Sequence, residues 1–241
     1  MIYRFAEKNS FQYLAAGSVI KSYKGNTNFP VRLGLEIFNR CLQYIDNKEK
    51  VTIYDPMCGS GYLLTTIGLL NFNKINKIYG SDINEEVIKV ARKNLRLLTI
   101  EGINQRENEI QNLLDKYNRD SYKTGLLHIR AFKDIVNKNM DFELFKRDIF
   151  DQSIALNIKS DILIMDLPYN NLVKYNGDYS KSKLEEQIIS LAQKNTMVAI
   201  IRNKEQKLTI IPNLQGLEKI KIGKRVIEIY KNVVGNTVQI A

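Results

Sequence analysis

The chain has no tryptophan, one histidine, two cysteines and four prolines among its 241 residues. With His128 alone, neither a multi-histidine metal centre nor a Ser-His-Asp triad has its parts, so no metal is expected. Cys41 and Cys58 are too few for a disulfide framework and suit a reducing compartment, which makes the expected location cytoplasmic. No apolar stretch approaches the roughly 20 residues of a membrane span, and no signal-peptide pattern follows Met1. Repeats and low-complexity tracts are absent as well. Acidic residues are outnumbered, 26 against 36 Lys/Arg, for a net charge of +10. The excess sits at the two ends. Residues 1–50 hold 8 basic and 4 acidic side chains, residues 201–241 hold 8 and 3, and the middle is nearly balanced. That asymmetry suits a polyanion lying across the molecule.

What the chain does have is a glycine turn in a telling place. Val51-Thr52-Ile53-Tyr54 is short, β-branched and apolar, as a buried parallel strand should be. Asp55-Pro56-Met57-Cys58-Gly59-Ser60-Gly61-Tyr62 follows, and Leu63 to Leu70 then reads as a helix packed on a sheet. The glycines allow close approach of a ligand to backbone N–H groups at a helix N-terminus. A dinucleotide fingerprint would need glycine at Leu64, and a phosphate loop would need lysine at Tyr62, so both are excluded. Asp55, at the strand tip, is placed to accept a hydrogen bond from a ligand amino group. Gly59, Ser60 and Gly61 form the turn itself.

Lys77 to Asp82 reads as the second strand, ending in an acid about 20 residues beyond the turn, where a nucleoside-binding α/β fold keeps a carboxylate for ribose hydroxyls. The competing role for Asp82 is a helix N-cap. Asn84 to Leu98 has helical spacing. Arg147-Asp148-Ile149-Phe150 closes a third strand; Asp148 is a candidate for an adenine amino group, with Ile149 or Phe150 over the ring. Ile162-Leu163-Ile164-Met165 is a fourth strand and runs into Asp166-Leu167-Pro168-Tyr169. Asp166 can accept an N–H hydrogen bond from a base, orient the nitrogen and take its proton. Pro168 stiffens the turn so that backbone carbonyls face the pocket. Tyr169 offers a ring on which an extruded base can stack. The two signatures together point to S-adenosylmethionine as cofactor and a nucleobase nitrogen as methyl acceptor, with Asp166 and Tyr169 as the catalytic pair.

The rest is organised around that core. Residues 1–48 form an arm that interleaves aromatic and basic residues, followed by a helix from Pro30 to about Ile45. Residues 99–140 are too long for an ordinary connection and read as a helical insertion, with a capping box at Asn104 and Glu107 and a second helix over 122–137. A helix over 181–193, a strand over 196–201 and a hairpin around Gly223-Lys224 complete an open, mostly parallel, doubly wound α/β sheet with an antiparallel C-terminal hairpin. One domain over 1–241 is expected, and a monomer. Lys21, Lys24 and Arg32 in the N-terminal part, and Lys221, Lys224 and Arg225 near the C-terminus, are the candidate RNA contacts.

Phe29-Pro30-Val31-Arg32, Asp55-Pro56-x-Cys58-Gly59-Ser60-Gly61-Tyr62-Leu63-Leu64-Thr65, Gly68-Leu69-Leu70, Ser81-Asp82, Ala91-x-x-Asn94-Leu95, Asp166-Leu167-Pro168-Tyr169 and Lys221-Ile222-Gly223-x-Arg225 resemble the avilamycin-resistance 23S rRNA guanine methyltransferases of the AviRa type. The resemblance covers most of the chain, insertion included. It implies a Rossmann-like methyltransferase fold, a guanine in large-subunit (23S) rRNA as substrate, and resistance to avilamycin-type antibiotics. Where members of that family carry a second cysteine before Cys58, this chain has Met57. Two rivals stay open. A ribose 2′-O-methyltransferase would use Asp166, Lys204 and Glu228, and a non-catalytic RNA-binding module would use the fold as a scaffold. A cytosine C5 enzyme would need a cysteine nucleophile at the acceptor motif, where there is none.

Overall fold

The computed structural model describes residues 3–8, 14, 19–23, 28–46, 49–151, 158–168, 181–206 and 212–234. Its strands are β1 (Val51–Asp55), β2 (Ile75–Asp82), β3 (Asp141–Lys146), β4 (Ile162–Asp166), β5 (Met197–Asn203), β6 (Leu214–Ile222) and β7 (Arg225–Asn232). They form one sheet in the order β3-β2-β1-β4-β5-β7-β6. The first five are parallel; β7 runs antiparallel to both β5 and β6. Successive residues of β4 serve opposite faces, as the pleat requires. Ile162 and Ile164 join one apolar core, while Leu163 and Met165 join the other with Leu184, Ile188 and Leu191. Burial on both faces explains the unbroken apolar runs that marked β1 and β4 in the sequence.

The strand order reverses between β1 and β4, because the chain first winds outward to β3 and then returns to start β4. Ligands of open α/β sheets bind in the crevice at such a switch point, beyond the carboxyl ends of the strands. Asp55 and Asp166 are the last residues of those two strands.

Around the sheet lie helices α1 (Val31–Leu42), α2 (Tyr62–Leu70), α3 (Glu85–Leu95), α4 (Ile100–Tyr117), α5 (Asp120–Ile135) and α6 (Lys181–Leu191). Helix α1 starts one residue after Pro30 and ends at Leu42, short of Ile45. The insertion is a hairpin of α4 and α5 whose ends meet, since the Met140 N–H donates to the Leu98 carbonyl at 3.0 Å. The expected capping box at Asn104 and Glu107 is not the start of α4. Thr99 caps the helix, its Oγ1 accepting the Gly102 N–H at 3.1 Å, because the 3₁₀ turn Arg96–Leu98 delivers it there in extended conformation. Glu107 instead binds Arg130 and Lys133 across the hairpin, both at 2.7 Å. None of the described helices is long and apolar enough to cross a membrane.

Candidate active site

Three carboxylates end three neighbouring strands: Asp82 on β2, Asp55 on β1 and Asp166 on β4. Asp55 is buried, and its Oδ1 accepts the Met57 N–H at 2.9 Å. Burial pushes its carboxyl well above the usual range, and the charges of Asp166 and Asp82 push the same way. Burial also raises Asp82, although the amides of Asn84 and Gly59 oppose it.

The glycine turn is tied to the tip of β2. The Cys58 N–H donates to the Ser81 carbonyl at 2.9 Å, and the Gly59 N–H donates to Asp82 Oδ2 at 3.0 Å. Gly59 and Gly61 both have φ in the left-handed region, +54° and +67°. Their surroundings differ. A side chain at Gly59 would meet nothing within 4 Å, whereas one at Gly61 would strike Leu95 and Ala91 of α3. Gly59 is therefore the open face of the turn, and Gly61 is the packing face against α3.

Asp82 is not a helix cap. Asn84 caps α3, its Oδ1 accepting the N–H groups of Glu86 and Val87 at 3.0 and 3.4 Å. Asp82 Oδ2 accepts the Gly59 N–H and Oδ1 the Asn84 N–H, with the Ile83 amide also favouring the ionised form, and a carboxylate so placed can still accept from ribose hydroxyls. Ile83, next along the chain, is 49% exposed. An apolar side chain held out beside that acid suits the face of an adenine ring, and nothing in the sequence pattern marked it. In the next turn, Asp148 Oδ1 accepts the Phe150 N–H at 3.0 Å. Ile149 is buried in the core with Tyr54 and Leu163, while Phe150 is only partly buried.

These features fit S-adenosylmethionine. Three converging acids, two of them raised by burial and one also by mutual repulsion, form a site whose electrostatics call for a cation, and this cofactor carries a sulfonium and an ammonium. Asp55 and Asp82 would hold its ends, with the open face of Gly59 between them.

At the acceptor turn, the Leu167 N–H donates to the Ile201 carbonyl at 2.8 Å. The expectation that the Pro168 turn leaves its carbonyls to the pocket needs correction, because the Pro168 carbonyl accepts Gln206 Nε2 at 2.9 Å. Gln206 carried no sequence signal. Tyr169 and Lys24 lie outside the described residues. Glu228, a candidate in the ribose reading, is 6% exposed and accepts from Arg202 Nε and Nη2 at 2.8 and 3.1 Å, with Lys219 at 2.6 Å. It is part of the sheet's ion-pair framework.

The two basic ends of the chain meet near this site. The Arg225 guanidinium lies 5.7 Å from the ring centroid of Phe29. Arg32 sits 4.0 Å from the Tyr3 ring centroid and donates to the Ala6 carbonyl at 3.0 Å, so it anchors the arm. Lys21 forms an ion pair with Glu109 at 2.9 Å. Lys221 and Lys224 are exposed, and the Lys224 carbonyl accepts the Lys204 N–H at 3.0 Å just past the end of β5. Beside Lys21, buried Asn94 donates to the carbonyls of Lys21 and Ser60 at 2.8 and 2.9 Å and accepts the Lys21 N–H at 2.8 Å. Asn94 ties the arm to the glycine turn. A polar residue on the otherwise apolar face of α3 was the available signal for it.

The sequence profile of the family described as rRNA methyltransferase AviRa matches residues 1–225. The 23S rRNA (guanine(2535)-N(1))-methyltransferase of Streptomyces viridochromogenes is 31% identical over 233 residues, 92% of this chain and 93% of that one. A 1.5 Å structure of rRNA methyltransferase AviRa from Streptomyces viridochromogenes aligns with a TM-score of 0.85 at 28% identity, covering 96% of this chain and 97% of that one. A putative class I S-adenosylmethionine-dependent methyltransferase from Listeria monocytogenes, 16% identical with a TM-score of 0.55 over 95% of this chain and 67% of its own, shares the fold. The three-acid switch point, the glycine turn bound to Asp82 and these likenesses agree: the chain is an S-adenosylmethionine-dependent enzyme that belongs to the AviRa rRNA methyltransferase family.

Proposed function

We propose that this enzyme methylates N1 of a guanine in 23S rRNA and lowers susceptibility to avilamycin-type antibiotics. The substrate named for the Streptomyces relative supports the choice of base and nitrogen. The observation that carries the reading is the position of Asp166, at the end of β4 beside Asp55 and opening the Leu167-Pro168 turn. Bound S-adenosylmethionine supplies an activated methyl group, so the protein's work is alignment and proton acceptance. Guanine N1 carries a hydrogen and is a poor nucleophile. Asp166 would accept that N1–H hydrogen bond, hold the nitrogen in line, and take the proton released when the methyl group leaves sulfur for N1, so that one S–C bond breaks as one N–C bond forms. Tyr169 stacks on the extruded base. Asp55 holds the cofactor's amino group, and Asp82 holds its ribose. Asp148 holds the adenine amino group, with Ile83 and Phe150 about the ring, since Ile149 is committed to the core. Exposed Lys221 and Lys224, with Arg225, form an RNA-facing rim; Lys21, Lys24 and Arg32 are further RNA contacts in this reading, Lys21 once its pair with Glu109 opens, and residues 1–241 act as one catalytic unit.

The engagement of Glu228 by Arg202 and Lys219 favours the base over the ribose as acceptor. The test is nucleoside mass mapping of rRNA treated with the purified protein. The expected product is 1-methylguanosine whose methyl group leaves with the base, and it is absent with Asp166→Ala. A methyl group retained on the ribose would overturn the assignment.

A further inference from the structure

Strands β4 and β5 run in register from Ile162 opposite Met197 to Asp166 opposite Ile201. One more rung forms beyond them, from the Leu167 N–H to the Ile201 carbonyl. The parallel ladder would next carry the Asn203 N–H to the Leu167 carbonyl. Instead the Gln206 side chain enters between the strands. Its Oε1 accepts the Asn203 N–H at 2.8 Å, and its Nε2 donates to the Pro168 carbonyl at 2.9 Å. One amide thus stands in for a backbone rung, one residue farther along β4, and the two strand ends are held apart at the acceptor turn. The wedge is itself braced. The Gln206 N–H donates to the Asn203 carbonyl at 3.1 Å, and the Gln206 carbonyl accepts Arg202 Nη1. Arg202, 7% exposed, is clamped by Glu228 of β7, which Lys219 of β6 holds in turn. A chain of contacts therefore runs from the C-terminal hairpin to the Pro168 carbonyl, charge-assisted as far as Gln206 and closed by its neutral amide.

We propose that Gln206 is a positioning residue for methyl transfer, splaying β4 from β5 so that the Asp166-Leu167-Pro168 turn faces the substrate base. The role rests on the acceptor-site reading given above. The amide has both the donor and the acceptor that the two strands require; a carboxylate of the same shape lacks the donor, and a protonated carboxyl regains it.

The test compares Gln206→Ala, Gln206→Glu and Asp166→Ala by steady-state methylation of rRNA, with cofactor affinity from calorimetry and thermal melting alongside. Gln206→Ala should lower kcat roughly tenfold or more, the scale of a lost buried hydrogen bond, while cofactor Kd stays within about twofold of wild type. Gln206→Glu should be impaired at pH 8 and close the gap to wild type as pH falls toward about 5, where its carboxyl begins to protonate. Wild-type kcat in Gln206→Ala would overturn the inference, as would a pH-independent deficit in Gln206→Glu. That second measurement decides the matter if the alanine variant does not fold. Should Asp166→Ala remain active, the acceptor-site reading falls and this inference with it. An inactive Asp166→Ala beside a fully active Gln206→Ala sinks the inference alone.

Discussion

Asp82 does two things with one carboxylate. It anchors the Gly59 amide and accepts the Asn84 amide just before α3, and in the proposed function it also holds the cofactor ribose. Asp82→Ala should weaken S-adenosylmethionine binding by about 1–3 kcal/mol, the range for a lost hydrogen bond to a charged group, as read by calorimetry. Burial raises both Asp55 and Asp82, and neighbouring acids add to this at Asp55, so each retains its proton at pH values where an ordinary aspartate has lost it. A cationic ligand favours the ionised forms, so binding must release protons. Cofactor affinity should therefore rise with pH from the ordinary aspartate value of about 3.9 up through the raised values, then level off. In the free protein the sign is opposite: these acids weaken folding as pH climbs through the same window. Calorimetry in two buffers of different ionisation enthalpy measures the release directly, and its absence would remove the electrostatic argument for the site.

Helix α1 shows how an element can hold residues 4–6, which lie in no helix or strand. Glu36 is fully buried and accepts the N–H groups of Arg4, Phe5 and Ala6, each at 2.8 Å, together with Arg40 Nε at 2.6 Å. Arg40 also pairs with Glu218 of β6, and Tyr44 donates to the same carboxylate at 2.9 Å. One helix thus fastens the arm to the sheet edge. Burial by itself would raise the Glu36 carboxyl, but the arm amides and Arg40 outweigh it and hold it below the usual range. Its contribution to stability is present above the unfolded value of about 4.3 and is lost as pH falls through the lower folded value. Glu36→Ala should cost about 3 kcal/mol at neutral pH, since it strands three amides and part of a buried guanidinium. Thermal melts from pH 7 to 3 should then fall less steeply in Glu36→Gln than in the wild type. Parallel curves would show that Glu36 contributes nothing to acid sensitivity.

At the scale of the whole molecule, charge that is far apart in the chain is gathered near the mouth of the site. Affinity for rRNA should fall steeply with salt, with a log–log slope of several units if about five phosphates are neutralised. Charge reversal at exposed Lys221 and Lys224 should weaken RNA binding and leave cofactor affinity unchanged. Lys21 behaves differently, because its partner is Glu109 at 2.9 Å. Lys21→Glu alone places two acids together, so the exchange Lys21→Glu with Glu109→Lys is the informative comparison. Filter binding at several salt concentrations reads all of these, and salt-independent affinity would exclude a phosphate backbone as the main contact.

By itself the sequence determined the fold class, because burial on both faces makes central strands continuous apolar runs, and the glycine turn and strand-ending acids follow them at fixed distances. Asp55, Asp82 and Asp166 were legible for that reason: each occupies the one position where a strand leaves the sheet. Local signals were less decisive at element ends. Asn104 and Glu107 had the spacing of a cap, yet Thr99 took the role because the preceding 3₁₀ turn set its backbone first. Only the tertiary structure decided what Asn94, Gln206, Arg202 and Lys21 do. Asn94 reaches Lys21 and Ser60, 73 and 34 residues away, Gln206 reaches Pro168 across 38, Arg202 reaches Glu228 across 26, and Lys21 reaches Glu109 across 88 (109 − 21). Side-chain contacts of that reach have no period and no motif; they exist only once helices and strands have packed and brought both partners together.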